Sequence, residues 1–374
     1  MTAAVVDWSG VLALATGLER RLAGGMFGRG DDIRRTAAAY YRGLGVLCAQ
    51  TCGLDPADLA PAGVPQLESL RRGALDAGLR LLLAGDVEQG RVLLSEHAAY
   101  RRTHQDDPAL AADAAPGRAQ PGALQAWHGH PVGEELVARF NTSMAGTADT
   151  SVVATVPSRR DSDTALRAAA EVLTTALPLI GPDVVEGISV GVYDGAMNSG
   201  YYAGTPLIVY VSERIFADPV RTAEIVLHES LHQKLADLGV ARDILRAGYV
   251  DESSELLPVP WGGPGRLFSA DRSLAAYHVY THQSLFYLAL LCRYADDPAR
   301  RAGTAGNLVK SWARARHFAR GAESPGLAGE YGVDGRRLTA WLAEVVDALA
   351  EVPLPGGSPL SAHAENYTGV SVPS

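Results

Sequence analysis

Two histidines and a glutamate form the strongest chemical pattern in this sequence. His228, Glu229 and His232 lie within residues 223–236, whose apolar spacing predicts an amphipathic helix. Residues four apart share one helix face, so the two imidazoles can bind one divalent metal ion. Glu229 is close enough to act on a metal-bound water or to orient a ligand. The pattern predicts a metal site; the alternative is two ordinary histidines on a surface or core helix.

The residues around this pattern predict where its helix begins and ends. Asp218 is a suitable N-cap, Pro219 a first helical residue, and Gly239 a stop. Residues 206–211 form a β-rich run that leads into the helix. A strand beside a metal-binding helix is typical of zinc-peptidase-like folds. By that analogy, the edge of the strand at residues 207–211 can present its backbone to an extended peptide.

Most of the remaining chain has helical periodicity. Helices are predicted at residues 9–24, 31–52, 66–84, 86–104, 164–177, 271–294, 304–319 and 335–351, and strands at 151–156 and 188–193. Residues 198–205 are predicted to form a turn-rich loop or hairpin. The stretch after Gly239 that carries Leu245 is predicted to form a shorter helix. We therefore predict an α+β fold, predominantly α-helical, with a zincin-like metal-binding helix beside a small β-sheet and an N-terminal helical region.

A Pro/Gly-rich stretch at residues 105–131 predicts a boundary between two regions. Residues 1–131 would form an N-terminal helical region with an irregular connector. Residues 132–374 would form the metal-binding catalytic domain. His128 and His130 lie in the connector, where a solvated loop is the preferred interpretation over metal binding.

Composition restricts the classes of partner. The 374 residues carry a net charge of −9 without a basic stripe, which disfavours nucleic acid as the principal partner. Apolar runs stay shorter than the ~18 residues that a membrane span needs. Three cysteines and an N-terminus without a signal-peptide pattern favour a reducing cytoplasm. The sequence does not indicate an oligomeric state.

Two histidines do not complete a site, because a catalytic zinc or iron usually takes three protein ligands. His278 and His282 share one face of an otherwise apolar predicted helix, where imidazoles are costly to bury unless bonded or metallated. Glu252 follows His232 by 20 residues, as a thermolysin-like third ligand would. His278 is the preferred third ligand, and Glu252 and His282 are the alternatives.

A set of residues in this order also resembles a known family. The set comprises the run at residues 206–212, the helix with His228, Glu229 and His232, then Trp261, Arg266, His278 and Tyr280. Across roughly residues 150–300 the sequence resembles the HExxH-motif peptide-modification proteins of actinobacterial natural-product clusters. Some members look like Fe(II)- and 2-oxoglutarate-dependent hydroxylases of side-chain β-carbons. The resemblance implies His228, His232 and His278 as iron ligands, and Arg266 as the cation for the distal carboxylate of 2-oxoglutarate.

Two classes of enzyme are therefore expected. The preferred one is a hydroxylase of an amino-acid side chain, in a peptide or a free amino acid, held near residues 207–211. Trp261 would then be a substrate wall, although loop packing is its commoner use. The alternative is a zinc hydrolase, most simply a peptidase, with Glu229 as general base. In that enzyme Tyr201, Tyr202 or Tyr280 would stabilise the oxyanion. A binding scaffold without catalysis is disfavoured by the intact motif.

Overall fold

The structure, a computed structural model, describes residues 6–111, 122–123, 130–144, 159–195, 197–261, 263, 265–294 and 296–364. The fold is predominantly helical with small sheets, as predicted. The helices are α1 (Trp8–Ala23), α2 (Gly25–Gly28), α3 (Gly30–Cys52), α4 (Pro65–Leu83), α5 (Val87–His104), α6 (Pro108–Ala111), α7 (Pro131–Met144), α8 (Arg159–Ala176), α9 (Ile180–Gly187), α10 (Pro219–Ala241), α11 (Ala270–Arg293), α12 (Pro298–Ala322), α13 (Pro325–Glu330), α14 (Val333–Ala350) and α15 (Leu360–Ala364). The strands are β1 (Gly122–Ala123), β2 (Ser189–Tyr193), β3 (Ser199–Tyr201), β4 (Ile208–Ser212), β5 (Leu257–Pro258) and β6 (Leu267–Phe268).

The chain forms two compact units, each built from separate stretches of sequence. Unit 1 contains the described residues within Met1–Arg29, Ala176–Ile180 and Ala241–Ser374. Unit 2 contains those within Gly30–Thr175 and Gly181–Val240. Unit 2 has described residues on both sides of position 131, the predicted boundary between the two regions. That division stays a prediction about functional regions.

Unit 2 contains a four-stranded sheet in the order β1-β2-β4-β3. β2 and β4 are parallel, and Ser189 pairs with Ile208. Every residue of these two strands is buried, which accounts for their continuous apolar sequence. β3 runs antiparallel to β4 and is the last strand on that side of the described sheet.

An aromatic core holds β4 in place from the side of α4 and α7. The Phe140 ring on α7 stacks on Tyr210 of β4, with centroids 3.9 Å apart. The Tyr210 hydroxyl donates to the Leu136 carbonyl oxygen at 3.1 Å. α4 passes so close to the loop before β4 that a β-carbon at Gly73 would lie 2.0 Å from the Gly204 carbonyl oxygen. Only glycine fits this close approach without moving the backbone.

Unit 1 is built around α11, which is buried along most of its length. α1, α12 and α14 pack against it. The indole N–H of Trp312 on α12 donates to the Val346 carbonyl oxygen on α14 at 2.8 Å. On α1, the Glu19 carboxylate accepts from the backbone N–H groups of Leu179 and Ile180 at 2.7 and 3.1 Å. The N-terminal helix therefore anchors residues 176–180 within this unit.

The structure confirms most predicted helices and corrects two local predictions. α10 continues through Gly239 to Ala241, because Val240 packs against the core formed by α3, α4 and α5. Residue 245 is not helical; Leu245 forms an isolated bridge with Tyr331. The strand predicted at residues 151–156 lies outside the described residues.

Two further expectations concern membranes and thiols. Within the described residues, no helix combines the length and the apolarity needed to cross a membrane. Cys48 and Cys52 are free and buried, and Cys292 is free and half-buried. Burial raises the pKa of the Cys48 thiol to about 11, so this thiol is a packing group with little thiolate at neutral pH.

Candidate metal centre

α10 presents the two histidines of the motif on one face. The Asp218 carboxylate accepts from the backbone N–H groups of Val220 and Arg221, at 2.9 and 3.1 Å, so the predicted N-cap is confirmed. One helical turn separates His228 from His232, and their ring centroids are 5.1 Å apart. The helix therefore brings two imidazoles together in the geometry that the spacing predicted.

Glu229 completes a cluster of three possible metal donors. One ligand atom each from His228, Glu229 and His232 lies within 4.8 Å of the other two. Glu229 is only 5% exposed, and its Oε1 accepts a 2.6 Å hydrogen bond from the Ser199 hydroxyl. Ser199 begins β3, so the sheet fixes the carboxylate from the side opposite its own helix.

Burial sets the charge state of this cluster. It raises the pKa of the Glu229 carboxyl, against the opposing effects of His232 and Ser199. Burial also lowers the pKa of His232 to about 4, a shift that Glu229 opposes and His228 reinforces. The His232 imidazole is therefore neutral at physiological pH, which is the form that binds metal ions.

β3 is the strand at the edge of the sheet beside α10. The prediction that residues 207–211 form that edge is wrong. β4 pairs with β2 on one side, while its residues 209–211 pair with β3 on the other. Ser199 and Tyr201 point toward α10, and the Tyr201 ring lies 6.2 Å from the His232 ring at 15°. The intervening Gly200 faces Phe140 instead.

The start of β4 is tied directly to the metal-motif helix. The Gln233 side-chain oxygen accepts from the Leu207 backbone N–H at 2.6 Å. The Gln233 amide donates in turn to Asp237 at 3.0 Å. Leu207 has a φ of 71°, a left-handed conformation that costs energy for a branched side chain. The hydrogen bond from Gln233 helps hold this conformation.

A second cluster of metal-ligand residue types lies at the start of α7. It consists of His104, Asp107 and His130. His130 Nδ1 accepts from the Val132 backbone N–H at 3.1 Å, so its Nε2 carries the proton and donates to Asp107 at 2.8 Å. These bonds use both ring nitrogens of His130 and account for the cluster as a helix cap. His128 lies outside the described residues.

The three candidates for a third ligand all belong to unit 1. His278 and His282 are fully buried on α11, with ring centroids 4.5 Å apart. His282 Nδ1 donates to the His278 carbonyl oxygen at 2.8 Å. Glu252 is exposed on the short 3-10 helix Asp251–Ser253. The choice among them stays a prediction, because the His228 cluster belongs to unit 2.

Trp261, Tyr280 and Arg266 also lie in unit 1. Trp261 is buried, and its ring packs perpendicular to that of Tyr280 at 6.1 Å. Arg266 is exposed, with its guanidinium 4.9 Å from the centre of the Phe268 ring. A different arginine, Arg314 on α12, lies against both Trp261 and Tyr280. The predicted carboxylate-binding role of Arg266 stays a prediction.

Sequence reasoning missed two polar residues in these clusters. Ser199 was part of a predicted loop or hairpin, and a serine in such a loop gives no signal of its own. Arg314 lies in a helix with several other arginines, so its type did not distinguish it. Both owe their positions to contacts with residues at least 30 positions away.

No protein-family model matches this sequence, and no curated protein matches it.

Proposed function

We propose that this protein is an Fe(II)- and 2-oxoglutarate-dependent hydroxylase of an amino-acid side chain, in a peptide or a free amino acid, acting in natural-product biosynthesis. The carrying observation is the cluster of two half-buried imidazoles and one buried carboxylate on α10. Two histidines and a carboxylate with open positions are the donor set of non-haem Fe(II) oxygenases. The family resemblance gives the hydroxylase further support. The proposed compartment is the cytoplasm, because few, free cysteines suit a reducing environment.

The residues of the cluster fit a divalent metal ion. His228 and His232 would hold it, with Glu229 or His278 as the third donor. His232 is neutral at physiological pH because burial lowers its pKa to about 4. A bound iron ion would supply the redox chemistry that couples 2-oxoglutarate decarboxylation to the transfer of one oxygen atom.

The chain's own residues would position the carboxylate and the substrate. Ser199 donates to Glu229 Oε1 at 2.6 Å and so fixes which carboxylate oxygen remains for a ligand or water. β3 is the edge of the described sheet beside these residues. An extended substrate can add to such an edge through backbone hydrogen bonds, with alternate side chains directed at the cluster.

A zinc hydrolase is the second candidate, and one observation favours it. Burial raises the pKa of Glu229, which brings a carboxylate closer to the range that suits a general base at neutral pH. A bound zinc ion would polarise a carbonyl group and activate water. Glu229 would then take up the proton of the attacking water, while Ser199 keeps its carboxylate in position.

Metal content tests the part that both candidates share. Protein purified without oxygen should contain close to one divalent ion per chain, and His228→Ala should lose most of it. His104→Ala is the matched control, because it removes a histidine from the second cluster and should leave the content unchanged. Equal metal content in the wild type and His228→Ala would contradict the site.

The reaction itself separates the two candidates. Fe(II)-loaded protein, 2-oxoglutarate, O₂ and a peptide library should give succinate and a product heavier by one oxygen atom. A hydrolase would instead give fragments whose masses sum to substrate plus water, with zinc and without 2-oxoglutarate. That second result would replace the hydroxylase with the hydrolase.

A further inference from the structure

Three aromatic rings in unit 1 form a stack with an arginine at each end. Phe268 and Phe318 are nearly parallel at 5.8 Å and 14°. Phe318 and Tyr280 follow at 6.2 Å and 8°. The Arg266 guanidinium lies 4.9 Å from the Phe268 ring centre, and the Arg314 guanidinium lies 5.2 Å from that of Tyr280. The two cations therefore bind the opposite ends of one aromatic stack.

The surroundings of the two arginines differ. Arg266 is exposed, whereas Arg314 is half-buried and also lies 5.1 Å from the Trp261 ring centre. Trp261 stands at 85° to Tyr280, so the two rings form two sides of a corner around the guanidinium. Nη1 of Arg314 donates to the Tyr280 hydroxyl at 3.2 Å. This bond fixes the orientation of the guanidinium plane.

Arg314 lacks a counter-charge within the part of the chain that the structure describes. Its Nε is fully covered and has no hydrogen-bond acceptor there. By contrast, Arg246 in the same unit pairs with Glu330 at 2.8 Å. Covering a charged donor without an acceptor costs energy. Contact with aromatic faces offsets only part of such a cost.

We propose that Arg314, with Trp261 and Tyr280, forms a binding site for the carboxylate of a small organic acid. A planar guanidinium matches a carboxylate through two parallel hydrogen bonds. The rings cover the guanidinium faces and Nε is covered as well, so such a ligand would bind through the Nη1 and Nη2 edge. The carboxylate comes either from a 2-oxo dicarboxylate cosubstrate or from the terminal carboxylate of an amino-acid substrate. Only that choice of source rests on the proposed function.

Calorimetric titration of the full chain tests the site. The probes are 2-oxoglutarate and N-acetylalanine, with dimethyl 2-oxoglutarate and N-acetylalanine amide as their uncharged counterparts. We expect at least one acid to bind and its uncharged counterpart not to bind. Arg314→Gln should raise the Kd of that acid about tenfold or more, which corresponds to losing one hydrogen bond to a charged group.

Two variants control for indirect effects. Arg316→Gln is the matched control, since Arg316 is also half-buried on α12 with its guanidinium 5.2 Å from the Trp312 ring centre; it should leave the Kd unchanged. Arg314→Lys keeps the charge but loses the planar pair of donors, so an intermediate loss is expected. Arg314→Lys also tests the site if Arg314→Gln fails to fold.

Several results would overturn the site. These are absence of binding by either acid, equal binding of the uncharged probes, an unchanged Kd in both Arg314 variants, or an equal loss in Arg316→Gln. If an acid binds through Arg314 but no succinate forms, the site stands and the hydroxylase fails. If succinate forms while both Arg314 variants keep the wild-type Michaelis constants for 2-oxoglutarate and substrate, the site fails and the hydroxylase stands.

Discussion

Ser199→Ala would remove one hydroxyl group from the candidate metal centre without changing a metal donor. The Ser199 hydroxyl donates to Glu229 Oε1 at 2.6 Å, and Glu229 is 5% exposed. A hydrogen bond to a charged group contributes ~1.5–3 kcal/mol. If that energy positions the carboxylate in the transition state, kcat should fall about tenfold to about 150-fold.

The assay pairs turnover with metal content. Ser199→Ala should retain its metal, because the Ser199 hydroxyl bonds to Glu229 and is not itself a proposed metal donor. Ser199→Thr keeps the hydroxyl and suits a strand, so it should recover most of the rate. Ser212→Ala is the matched control on β4: it removes a 3.1 Å hydrogen bond to the Gly195 carbonyl oxygen, in which Glu229 takes no part, and should leave kcat unchanged.

Three outcomes would refute this reasoning. Wild-type turnover in Ser199→Ala would mean that Glu229 needs no positioning from β3. Equally slow turnover in Ser199→Thr and Ser199→Ala would point to packing and not to the hydroxyl. An equal loss in Ser212→Ala would mean that any disturbance of the sheet slows the reaction.

The remaining predictions concern the third ligand, Glu229 and acid stability. His278→Ala should lose metal in elemental analysis while Glu252→Ala keeps it; the reverse would favour the thermolysin-like pattern. If Glu229 is the general base of a hydrolase, Glu229→Gln should abolish hydrolysis and keep its metal. Loss of metal in Glu229→Gln would instead identify Glu229 as a metal ligand. Burial and the Arg139 guanidinium lower the pKa of His97 to about 4, below its unfolded value of about 6.5. The unfolded chain therefore binds this proton first, and acidification from pH 7.5 to pH 5 should remove about 2 kcal/mol of unfolding free energy. In His97→Leu, urea titrations at the two pH values should show a smaller loss of unfolding free energy than in the wild type. An equal loss in both proteins would contradict the prediction.

Local sequence signals were enough to predict most of the helices. Residues 31–52 and 66–84 correspond to α3 and α4 within one residue at each end, because apolar spacing and first-turn residues are both local. The start of α12 was missed. Asp297 caps it and Pro298 is its first residue, but an arginine-rich first turn hid the apolar spacing.

The candidate site was predicted only where its residues are neighbours in sequence. His228 and His232 follow from helix geometry, since four residues make about one turn. Ser199 and Arg314 reach their partners through strand pairing and helix packing, which depend on the whole fold. The edge position of β3 also depends on the whole fold. Its three half-buried residues are too short a pattern to recognise in the sequence.

Unit 1 is built from stretches that lie far apart in the chain, and this has a consequence for synthesis on the ribosome. α1 packs on α11, yet about 250 residues separate the two helices in the chain. At ~5–20 residues per second, α1 waits on the order of ten seconds or more for its partner. Leu18 and Leu22, buried in the finished protein, lack the cover of α11 during that wait, while unit 2 is already complete in sequence. α1 is thus synthesised long before the helix on which it packs, and a chaperone that shields it would raise the yield of folded protein.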